Sequence, residues 1–64
     1  MDNSLTKNEM NMILDYLSSG IDDCKEAIIE ASKRGDTDGV IEFADYLKIT
    51  QSCKNKIINM RNKN

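Results

Sequence analysis

The chain has 64 residues, of which 11 are acidic and 9 basic, giving a formal charge of −2, and it contains no histidine, proline or tryptophan. A chain this short buries only about 60% of its unfolded surface by itself and usually needs a disulfide, a metal or a partner chain; two cysteines without a C-x-x-C pair leave association as the remaining help. The near-balanced charge excludes an overall field drawing in nucleic acid or anionic membrane, and no apolar run approaches the roughly 20 residues of a membrane span.

The N-terminus lacks the basic start and apolar stretch of a signal peptide, so a cytoplasmic, reduced protein is expected. The first element opens at Leu5-Thr6-Lys7-Asn8-Glu9-Met10. With Thr6 as N-cap, Glu9 falls at the third helical position and can complete a capping box, and Leu5 and Met10 form a hydrophobic staple. From there Met10, Leu14, Leu17, Ile21, Cys24, Ile28 and Ala31 recur at alternating steps of four and three. That spacing is a coiled-coil seam and predicts one long helix packed on others.

Lys33-Arg34 set positive charge at the carbonyl end and Gly35 can adopt the left-handed cap, so helix one is expected over about 7–34 with a turn at 35–36. Ser18-Ser19-Gly20 is the weak point, since Gly costs about 1 kcal/mol relative to Ala in a helix. The seam keeps its phase across it, which predicts a continuous or slightly kinked helix rather than a break.

Asp36 or Thr37 can cap a second helix over about 37–62. Its apolar positions include Val40, Phe43, Ala44, Leu47, Cys53, Ile57 and Ile58, with Thr50 and Gln51 interrupting. The short polar connector folds the helices into an antiparallel hairpin, one all-α domain spanning 1–64. Charge segregation agrees with this. Residues 1–46 hold all 11 acids against Lys7, Lys25, Lys33 and Arg34, and residues 47–64 hold five bases and no acid. Folding back brings Lys48, Lys54, Lys56 and Arg61 beside Glu9, Asp15, Asp22 and Asp23.

Ile13, Tyr16 and Ala27 widen the stripe of helix one to roughly 160°, more than one partner helix covers. A homodimer of hairpins forming a four-helix bundle is therefore expected, its core seam being the helix-one series with Val40, Phe43, Leu47 and Ile57; a monomer receiving a foreign helix is the alternative.

Chemistry-bearing constellations are sparse. Cys24 and Cys53 read as small buried hydrophobes, offset by about 7 Å along the axis and so not paired. Asp22 and Asp23 diverge by 100° on a helix and do not converge on a cation. Ser18-Ser19 has no histidine base, and the three glycines match no phosphate-loop spacing. No catalytic residue, cofactor or metal is expected. Lys48, Ser52, Asn55, Lys56, Asn59 and Lys63 share a basic, amide-rich face of helix two, a candidate surface for a partner or for nucleic acid.

In general plan the chain resembles the Rop family of plasmid RNA-binding hairpin dimers. Thr6-Lys7 near the first helix start, the acidic turn at Asp36–Asp38 and Ala44-Asp45 before Ser52-Cys53 carry the likeness. It implies a dimeric helical hairpin. Of the RNA-contacting positions that such proteins place along the first helix, Lys7 alone matches, and Leu14, Ser18, Asp22 and Ile29 stand at most of the others.

The expected function is a small non-enzymatic regulator or inhibitor docking on a larger protein, with the off-stripe residues Met12, Ile29, Ile41 and Ile49 as contact anchors. The alternative is a dimeric nucleic-acid or nucleotide-binding protein using the basic face. Heavy Ile, Asn and Lys usage suggests an AT-rich genome, such as a low-GC bacterium or one of its phages or plasmids.

Overall fold

The computed structural model describes residues 4–63, which form two helices, α1 (Lys7–Lys33) and α2 (Thr37–Lys63), packed against each other as a hairpin. The molecule is a rod of 50 × 19 × 15 Å. Both helices have 27 residues, so Gly20 and Thr50 are their central residues.

The start of α1 follows from its capping box. The Glu9 N–H donates to Thr6 Oγ1 at 3.1 Å, and the Thr6 N–H donates to Glu9 Oε1 at 2.8 Å. Leu5, just outside the cap, packs on the cluster that contains Met10, as a staple requires. These bonds, that from the Thr6 backbone first, hold the Glu9 carboxyl below its ordinary value. A lowered carboxyl stabilises the fold above the ordinary glutamate range, and the contribution is lost as pH falls through the depressed value. In an NMR titration Thr6→Ala should raise the Glu9 midpoint, because the hydroxyl that holds the box in register is gone.

Helix α1 continues without a break through Ser18-Ser19-Gly20. Leu17 and Ile21 on either side face α2 in phase, so packing overrides the local propensity of the triplet. Its end is a Schellman motif. The Asp36 N–H donates to the Ala31 carbonyl at 2.9 Å, the Gly35 N–H to that of Ser32 at 3.1 Å, and Gly35 has φ 70°. Arg34 is the C-cap rather than the last helical residue.

Of the two candidate caps for α2, Asp36 is the one used: its Oδ1 accepts the Gly39 N–H at 3.0 Å and its carbonyl accepts that of Val40 at 3.0 Å. Gly39 is buried against it, and a Cβ there would collide with the Asp36 carboxylate. Alanine at 39 therefore gains up to about 1 kcal/mol of helix propensity but displaces a cap worth about the same. Thermal melts should find Gly39→Ala near neutral in the natural chain and stabilising once Asp36→Ala has removed the obstacle.

The core is small. Met10, Leu14 and Ile57 form a buried cluster flanked by Leu5, Ile13 and Ile58, and Ile21 and Ala31 are buried further along α1. Leu17, Cys24 and Ile28 of the seam are half-buried, as are Val40, Ala44, Leu47 and Ile58 on α2. Two expected inward residues differ. Phe43 is 38% exposed and Cys53 is exposed in the single hairpin, because α1 covers only one flank of the α2 stripe. Half-buried Thr50 and Lys54 occupy the inner side instead. The Thr50 hydroxyl is satisfied by donating to the Tyr46 carbonyl at 2.8 Å, and lysine tolerates such a place by laying its methylenes on apolar surface.

Between the helices Arg61 Nη1 donates to Asn11 Oδ1 at 2.9 Å, on the surface beside the Met10–Leu14–Ile57 cluster. The expected interhelical acid–base pairs do not form among the described residues; the ion pair present is Lys33–Glu30 at 3.9 Å, within α1. Glu9 is already committed to its cap, and Asp15, Asp22 and Asp23 point to solvent.

Candidate functional site

One flank of the hairpin is apolar and uncovered. A groove of about 410 Å³ runs between the helices at mid-length, lined from α1 by Tyr16, Leu17, Ser19, Gly20 and Asp23 and from α2 by Tyr46, Ile49, Thr50 and Cys53. Tyr16 is 80% exposed, Tyr46 67% and Ile49 70%. Steps of three and seven along α2 from Tyr46 and Cys53 lead to Phe43 and Met60, both also exposed. The apolar surface thus extends along α2 beyond the groove.

Gly20 forms part of the floor. A Cβ placed there would meet nothing within 4 Å, so no group of the hairpin itself requires the glycine, and the space above it is open to an incoming side chain.

The basic face predicted on α2 is present and solvent-facing: Lys48, Ser52, Asn55, Lys56, Asn59 and Lys63 are all exposed. Lys48, Ser52 and Lys56 border a shallow depression together with Ile49 and Cys53. The lysines therefore rim the apolar groove on the α2 side, as Asp23 does on the α1 side. An apolar centre edged by charges is the anatomy of a protein–protein interface.

Of the off-stripe anchors, Ile49 belongs to the groove, whereas Met12, Ile29 and Ile41 are exposed and do not line it. In the sequence Tyr16 belongs to the helix-one stripe and Ile49 stands off the stripe of helix two, and the groove joins them; its signal in the sequence is the seven-residue spacing of Tyr46, Cys53 and Met60. Among the described residues no group of three or more histidine, cysteine or acidic side chains gathers into a metal site, and no helix is long and apolar enough to cross a membrane.

Fold and surface together define an all-α helical hairpin with one apolar flank. In comparisons with known proteins, no family model, no curated protein and no solved structure matches the chain.

Proposed function

We propose that this is a non-catalytic helical interaction protein: two hairpins pair into a four-helix bundle, and the bundle docks on a larger protein as a regulator or inhibitor. The observation that carries the reading is the exposed apolar flank of Tyr16, Phe43, Tyr46 and Ile49 on a hairpin whose own core is so small. Monomeric proteins rarely leave a contiguous apolar face of this kind in water. Met12, Ile29 and Ile41, which do not line the groove, are the anchors offered to the larger partner.

Light scattering during size-exclusion chromatography tests the first half, with a mass of twice the 7.3 kDa chain as the expected result. Crosslinking in native extract tests the second. A distinct adduct with another protein is expected, lost on combined Met12→Ser, Ile29→Ser and Ile41→Ser substitution; recovery of the chain crosslinked only to itself overturns the docking reading.

A second reading rests on the exposed Lys48–Lys56–Lys63 strip, which in a twofold dimer would appear twice and could meet nucleic-acid phosphates. Under that reading the purified protein carries an excess of absorbance at 260 nm, conspicuous in a chain with two tyrosines and no tryptophan. Changing the three lysines to glutamate would then abolish a mobility shift.

A further inference from the structure

The occupant of the groove follows from its position and from how charge is distributed along the rod. Both central residues, Gly20 and Thr50, line the groove, so the apolar flank is centred on the midpoint of the hairpin. A surface centred in this way can be shared with a second copy through a twofold axis without leaving either end overhanging, as an isologous interface requires. The flank of a rod 50 Å long and 19 Å wide is also of the right size, since stable interfaces bury about 800 Å² per partner.

Charge then selects between the two ways of laying one hairpin on another. The half of the described rod that contains the turn, residues 21–50, carries eight acids against four bases, and the open half, residues 4–20 and 51–63, carries five bases against two acids. With both turns at one end, like halves would face each other. With turns at opposite ends, each acidic half meets a basic one, and such complementarity fixes orientation more than it adds affinity. Screening over about 8 Å at physiological salt leaves the choice to charges at the contact edge. There the match is specific. An axis crossing α2 between Thr50 and Gln51 sets Asp45 level with Lys56 of the partner subunit, and Asp38 level with Lys63 of the partner subunit.

We infer that the groove centred on Gly20 and Thr50 is the seat of a second copy of this chain, laid face to face with its turn at the opposite end, α1 on α1 and α2 on α2. The inference rests on the self-pairing proposed above and adds its face, its axis and its direction. Gly20 lies within half a turn of the axis, where the open space above its Cα lets the two α1 helices approach and receives side chains from across the interface. Matching Asn11 to Arg61 places the same axis between Ile21 and Asp22 on α1.

Oxidative crosslinking of the full chain tests this directly. Gly20→Cys, made with Cys24→Ser and Cys53→Ser, should give a covalent dimer under mild oxidation, because a disulfide needs Cα atoms within about 7 Å and these positions face each other across the axis. With turns at one end, position 20 would instead lie over α2 of the other copy near Cys53. A disulfide that forms only when Cys53 is retained therefore overturns the orientation. A charge swap provides a second measure should the cysteine variant fold poorly. Asp45→Lys and Lys56→Glu should each weaken the dimer roughly three- to tenfold, and together restore it; absence of restoration counts against the axis. A chain that stays at single mass throughout overturns self-pairing itself, and if it still forms its specific adduct in extract, docking on a larger partner survives that failure.

Discussion

Replacing Ile57 with alanine should cost about 2–4 kcal/mol and leave the hairpin largely unfolded at ambient temperature. Ile57 is the one large apolar residue of α2 that α1 buries, 9% exposed, and it closes the cluster with Met10 and Leu14, themselves 1% and 7% exposed. Removing buried methylenes loses their transfer free energy and leaves a cavity whose cost depends on how far the site can collapse. With Met10 and Leu14 on α1 facing Ile57 on α2, the helices close such a gap only by shifting against each other. The loss is also large relative to the whole, since a chain of this size has only a few kcal/mol of net stability. Circular dichroism should report a fall in helicity and a midpoint lowered by well over 10 °C. Ile29→Ala provides the comparison: Ile29 is 53% exposed, and its truncation should cost under about 0.5 kcal/mol. Equal melting curves for the two variants would mean that the Met10–Leu14–Ile57 cluster does not hold the helices together.

How much of this was legible depended on whether a feature is local. The Thr6–Glu9 box and the Gly35 turn are written in short-range spacing, and both form; along the equally local α1 series, Met10, Leu14, Ile21 and Ala31 are buried and Leu17, Cys24 and Ile28 half-buried. The continuity of α1 through Ser18-Gly20 was legible for the same reason, because Leu17 and Ile21 keep their phase. Helix α2 was harder. Its inward line passes through Thr50 and Lys54, which interrupt any apolar count, and its best apolar residues fall partly on the uncovered flank. A helical wheel ranks Phe43 and Cys53 as inward without saying which side of the stripe α1 will cover.

The expected ion pairs failed for a related reason. Folding the sequence about residue 36 gives the height at which an acid and a base meet, but not the direction each side chain takes around its helix. Arg61 consequently finds the Asn11 amide and not Glu9. The same charges acquire a use one level higher, where the segregation visible in sequence becomes an acidic half and a basic half of one rod. Gly20 changed meaning most. As a sequence feature it only weakens a helix, whereas in the fold it sits at the centre of the open groove.

Under the proposed pairing, glutamate at position 49 should dissociate the dimer while leaving the hairpin contacts in place. Ile49 is 70% exposed in the single hairpin and touches the groove rather than the core, so the substitution removes no buried intrachain packing. In the paired state each copy would carry a carboxylate into the interface at the edge that Lys48 and Lys56 border, twice per dimer by symmetry. Desolvating a charge costs several kcal/mol after relaxation, of which the neighbouring lysines offset part; the remainder corresponds to a dimer weakened by about 10- to 100-fold. The mass measured by light scattering should drop from two chains to one. Stability should fall with it, since association favours the folded state by mass action and withdrawing it removes that contribution; the melting midpoint of the natural chain should accordingly rise with concentration and that of Ile49→Glu should not. Ile41→Glu supplies the control, because Ile41 is 56% exposed and does not line the groove. If the two glutamates had the same effect on mass, the groove would have no special part in self-association. A loss confined to position 49 would tie the small core and the uncovered flank to one cause, the covering of that exposed apolar flank by a second copy of the chain.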